Sequence, residues 1–99
     1  MIVDSETSAK ELASRECGIP MDQLGSTTEQ NPSLFWVWQK LRGGIRFLVA
    51  SDGSFMVAGS APSRESVLQE FARGRRTKPE QLSLIREQNL LRYGPVPPR

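Results

Sequence analysis

The chain has 99 residues, no histidine, a single cysteine (Cys17) and a formal net charge of +2. That length supports one domain with a modest core. The composition excludes Ser-His-Asp and Cys-His catalytic sets, an all-cysteine zinc site and an internal disulfide.

The charge is unevenly spread. Residues 1–32 carry six acidic and two basic side chains, a net of −4, and residues 33–99 carry eleven basic and five acidic ones, a net of +6. Such a split either steers a partner of opposite charge or is neutralised within the fold. No stretch approaches the roughly 20 apolar residues of a membrane span. The start, MIVDSETSAKE, lacks the basic and apolar regions of a secretory signal. With one cysteine, this reads as a cytoplasmic protein without a membrane partner. No DxD cluster, GxGxxG or GxxxxGK[ST] occurs, so no metal and no cofactor is expected.

Residues 1–4 are a short strand or a loose start. Ser5 to Cys17 has helical spacing, with Ala9, Leu12, Ala13 and Cys17 on one face. Ser8-Ala9-Lys10-Glu11 has capping-box spacing, and Gly18 is placed to end the helix. Cys17 on that face reads as a small buried hydrophobe. Ile19 to Leu24 fits one helical turn. Residues 25–33, GSTTEQNPS, are polar and turn-forming and predict a mobile loop.

The central stretch, SLFWVWQKLRGGIRFLVASDGSFMVAGS, alternates apolar residues with a period near two. In its first strand Leu34, Trp36 and Trp38 point one way, and Phe35, Val37 and Gln39 the other. Gly43-Gly44 suits a hairpin turn. The second strand, Ile45 to Ser51, puts Ile45, Phe47 and Val49 opposite Arg46, Leu48 and Ala50. Asp52-Gly53 turns the chain into a third strand, Phe55 to Ala58. Neither face of the first strand is clearly polar, so a helix should cover one side.

Ser63 is a good N-cap for a helix from Arg64 to Arg73, with Val67, Leu68, Phe71 and Ala72 on its apolar face and Gly74 after its end. This helix is the candidate cover of the sheet. Thr77 at the N-cap, Pro79 inside and Glu80 at N3 predict a last helix from Pro79 to about Tyr93. Gly94-Pro95 stops it, and 95–99 form an extended tail. At 100° per residue, Leu82, Leu90 and Tyr93 cluster, with Ile85 at their edge, and Leu84 and Leu91 lie nearly opposite. A helix apolar on two sides either buries both, offers one to a partner, or leaves single leucines in water.

The densest positive charge is Arg73, Arg75, Arg76 and Lys78, at the junction of the last two helices. It suits a phosphate backbone or an acidic protein patch; the competing reading is a dipole-balancing, solvated set. Trp36 and Trp38 would add stacking surface for nucleic acid if their face were open, but paired tryptophans on a strand are more often core.

From Phe35 to Arg76 the order of features resembles the YrhB-type immunity proteins of bacterial polymorphic-toxin systems. Trp36-Val37-Trp38, Asp52-Gly53, Gly59-Ser60-Ala61 and Phe71 carry the resemblance, which covers about 40 residues. It implies a bacterial protein that works by binding another protein, without catalysis. The expectation is a single α+β domain over 1–94, a three-stranded antiparallel meander packed by helices in the order α-β-β-β-α-α. The expected function is a non-catalytic protein-interaction module, immunity-type or regulatory, binding through Leu84, Leu91, Arg75 and Arg76 to another protein or, through the last helix, to itself. The alternative is a small nucleic-acid-associated protein using Arg73, Arg75, Arg76 and Lys78.

Overall fold

The computed structural model describes residues 3–30 and 33–95. Helix α1 (Glu6–Cys17) leads through a 3₁₀ turn (Met21–Gln23) into four strands, β1 (Leu24–Gln30), β2 (Ser33–Gln39), β3 (Arg46–Val49) and β4 (Phe55–Ala58), followed by α2 (Arg64–Ala72) and α3 (Pro79–Tyr93). The strands form one antiparallel sheet in sequence order. The fold is thus α+β, but the meander has four strands, not three, in the order α-β-β-β-β-α-α.

The extra strand lies where the sequence predicts a loop at 25–33. β1 pairs with β2 along its whole length, from Leu24 opposite Gln39 to Gln30 opposite Ser33. Its side chains are too polar to show apolar alternation, so periodicity misses it. The ladder is held by backbone bonds, and Thr27 and Thr28 were the only β-favouring residues in the stretch. Asn31 and Pro32 lie outside the described residues, as does all of the predicted tail except Pro95.

Two layers of helix enclose the sheet. Val37, Phe47 and Val49 face α1, α3 and the buried Val3, Ile19 and Leu24. Phe47 stacks on Phe55 with ring centroids 4.8 Å apart. On the opposite face Leu34, Trp36, Leu48 and Met56 pack against Val67 and Phe71 of α2. The helix after the meander therefore covers one face of the sheet, as expected, while the other face, expected to be left partly open, is closed by α1 and α3. The tryptophans share that face but not their exposure: Trp36 is 4% exposed and Trp38 39%.

The caps differ from the expectation at two helices. Ser5, not Ser8, is the N-cap of α1; its hydroxyl accepts from the Ser8 amide, and the Ser8 hydroxyl accepts from the Ser5 amide. At α3 the N-cap is Lys78 and Gln81 stands at N3, displacing Thr77 and Glu80 from those roles. The Thr77 hydroxyl is used elsewhere, on β4.

The inner stripe of α3 also differs. Leu82 and Asn89 are buried, Ile85 and Tyr93 are partly buried, and Leu90 is 52% exposed. Asn89 takes the buried position because its side chain has work at the end of α1. Its Nδ2 donates to the Cys17 carbonyl at 2.8 Å, one of the carbonyls a helix end leaves unpaired. Gln39 Nε2 donates to the Tyr93 hydroxyl at 2.8 Å and more weakly to Asn89 Oδ1 at 3.5 Å. Gln39 Oε1 accepts the Ile45 amide at 3.2 Å. This buried network joins α1, β2, the β2–β3 turn and α3, and it fixes which side of α3 faces outward.

Candidate interaction surfaces

The basic junction runs along the outer edge of β4. In β4 the ladder to β3 turns Met56 and Ala58 inward, so Phe55 and Val57 present their backbone groups outward. Thr77 meets them. Val57 N–H donates to Thr77 Oγ1 at 2.6 Å, and Thr77 N–H reaches the Phe55 carbonyl at 3.5 Å. One residue thereby covers part of a sheet edge that would otherwise invite pairing. By sequence Thr77 fits the helix cap, because a Thr-x-Pro-Glu run satisfies that local pattern and a tertiary acceptor role leaves no local trace.

Beside this clasp lies a cavity of about 350 Å³, whose lining includes Met56, Val67, Glu70, Arg75, Arg76 and Gln81. The cations around it are largely engaged. Glu70 lies 3.1 Å from Arg75 and 3.7 Å from Arg73. Arg76 donates to the Phe71 carbonyl at 3.0 Å and the Arg75 carbonyl at 2.8 Å, and its guanidinium carbon sits 3.8 Å from the centre of the Phe71 ring. Lys78 is exposed at the start of α3. Glu70, which the sequence did not single out, halves the charge that two of the four cations offer. All the ion pairs here are exposed, where such pairs add little stability.

The tryptophan face is closed over Trp36. Guanidinium carbons of Arg64 and Arg46 stand 5.2 and 5.9 Å from its ring centre. Arg64 pairs with Glu29 of β1. Arg46 donates to the carbonyls of Gly59 and Pro62, which ties down the connection from β4 to α2. Trp38 belongs to β2, two strands away from the edge where the junction lies. The structure thus does not gather the tryptophans and the four cations on one surface.

Leu84 and Leu91 form a second, separate surface. They are 61% and 90% exposed, and neither lines the cavity beside Arg75 and Arg76. Seven residues apart, they lie within about 20° of one line along α3. The four residues expected to bind a partner are therefore split between the outer face of α3 and the β4 edge.

Among the described residues no group of three or more Cys, Asp or Glu side chains could hold a metal ion, and no helix is long and apolar enough to cross a membrane. No family model matches the chain, and no curated protein and no solved structure matches it.

Proposed function

We propose that this protein is a non-catalytic interaction module and that the outer stripe of α3 is its binding surface, with a second copy of the chain as occupant. The observation that carries the reading is the exposure of Leu84 and Leu91 on a helix already anchored by Leu82, Ile85, Asn89 and Tyr93. The outer leucines lie mostly in water, and an apolar stripe there gains from being covered.

The stripe suits pairing with itself. Two α3 helices packed antiparallel about a two-fold axis level with Glu87 and Gln88 set Leu84 of each copy against Leu91 of the other. Such an isologous contact is the commonest route to a dimer. A standard interface covers about 800 Å² on each partner, and a few leucines supply only part of that, so the dimer should be weak, roughly micromolar. An immunity-type role rests on the YrhB-type resemblance alone, and the reading of α3 stands without it.

Size-exclusion chromatography with light scattering, at low and high salt, tests this. The expected result is a dimer that survives high salt and becomes monomeric when Leu84→Ser and Leu91→Ser are combined. A contact made through Arg75 and Arg76 would weaken with salt instead. A wild-type monomer at both salts up to about 1 mM protein overturns the self-association reading.

A further inference from the structure

The two edges of the sheet are treated differently. β4 is clasped by Thr77, whereas among the described residues β1 has no such clasp. Lys40 N–H donates to the Gln23 carbonyl at 2.8 Å, and the register then continues from Leu24 opposite Gln39. Inward and outward residues alternate in an antiparallel ladder, so Gly25, Thr27 and Glu29 turn their backbone groups to β2, and Ser26 and Thr28 turn theirs outward. Among the described residues nothing bonds the outward N–H and C=O groups of Ser26 and Thr28. Nor does Leu24–Gln30 contain a proline, a lysine or a break in register, the usual devices that blunt an edge.

The flanks of this edge differ: the Glu6 carboxylate stands on the α1 side, and Trp38 on the α2 side, where the Glu29 carboxylate is already paired with Arg64. On the α1 side stands Glu6, whose two carboxylate oxygens accept from Ser26 Oγ at 2.9 Å and Thr28 Oγ1 at 2.8 Å. These bonds hold its carboxyl below the usual carboxylate range, so it is charged at neutral pH. On the α2 side the Trp38 indole lies over Gly25, where an added Cβ would fall 2.5 Å from Trp38 Cε2. That ring is partly open to water.

We infer that β1 accepts an extended segment of a partner polypeptide as a fifth strand, with Lys or Arg on the side facing Glu6 and apolar residues on the side facing Trp38. Backbone bonds to Ser26 and Thr28 supply the pairing, as in other strand additions. The charge of Glu6 and the indole platform supply the preference, because side chains of an added strand alternate between those two flanks. This surface is separate from α3 and does not depend on self-association there.

The test uses a blocked seven-residue peptide of alternating Lys and Val, its Glu-Val counterpart, and a Lys-Val peptide N-methylated on alternate residues. Binding is followed by amide shifts and by hydrogen exchange at Ser26 and Thr28. The Lys-Val peptide should bind at least about tenfold more tightly than the Glu-Val one at low salt, with the gap narrowing as salt rises. One of the two N-methylation registers should abolish binding. Thr28→Pro removes an outward N–H without touching the β2 ladder and should also abolish it; near-UV circular dichroism of the tryptophans checks that this variant is folded. Glu6→Gln should remove the preference for lysine and keep the pairing. Equal binding of both peptides, indifference to both methylation registers, or a peptide footprint away from β1 overturns the proposal. So does a dimer that persists when Leu84→Ser and Leu91→Ser are combined and is lost with Thr28→Pro, since β1 would then be taken by a second copy.

Discussion

Replacing Asn89 by alanine tests whether the buried network positions α3. Asn89 is 7% exposed, and its amide is the partner given to the Cys17 carbonyl at the end of α1. Removing it leaves a buried acceptor without a bond, which costs about 1–3 kcal/mol. Alanine returns roughly 0.5 kcal/mol through its better helix propensity. The weak Gln39–Asn89 bond, at 3.5 Å, adds little, and Gln39 keeps Tyr93. The net expectation is a loss of about 0.5–2.5 kcal/mol, or a fall in melting temperature of roughly 2–20 °C for a domain of this size. Gln88→Ala, on the exposed side of the same helix, isolates the propensity effect and should be neutral or slightly stabilising. Thermal melts of both variants, with amide exchange at the end of α1, decide the matter. If Asn89→Ala melts within about 1 °C of Gln88→Ala, the Cys17 carbonyl is not being satisfied by Asn89 and the account of how α3 is oriented fails.

Two further outcomes follow from the same structure. Thr77→Val keeps the shape but removes the acceptor for Val57 N–H, so it should cost about 1–2 kcal/mol in urea unfolding and speed exchange of the Val57 amide, whereas Thr77→Ser should cost less than half as much. Burial pushes the Cys17 thiol up to about 12 from an ordinary 9.0, so a disulfide reagent at pH 8 should label it only after denaturation. Because the folded value is the higher one, the linked stability is fully present below about pH 9 and is lost as the pH climbs toward 12; Cys17→Ala should flatten that alkaline decline.

The last three strands and α2 were legible because their side chains repeat with the period of the element, and the bounds of α3 because Pro79 and Gly94 punctuate it. Alternation separated Trp36 from Val37 and Leu48 from Phe47 within their strands; the β2–β3 register sets Trp36 with Leu48 under α2 and Val37 with Phe47 under α1. Gly18 and Ser63 marked helix ends through local backbone chemistry, and both act there. Leu84 and Leu91 were separated from the inner stripe by helical spacing alone.

What escaped was whatever depends on a partner distant in the chain. β1 carries almost no apolar pattern, and only its pairing with β2 makes GSTTEQ a strand. Asn89 looks like a surface residue until the Cys17 carbonyl, 72 residues away, gives it a reason to be buried. Thr77 fits a helix cap locally but is drawn to the β4 edge, where an unpaired Val57 N–H offers the better bond. Glu70 neutralises part of a basic run because the helix turn before it brings a carboxylate back to Arg73 and Arg75. The amino-acid order by itself determined the periods, the turns and the absent chemistries, since these are properties of neighbours along the chain. The tertiary structure alone decided which strands form the sheet edges and that Thr77 clasps the β4 edge, because an edge exists only once the strands have paired.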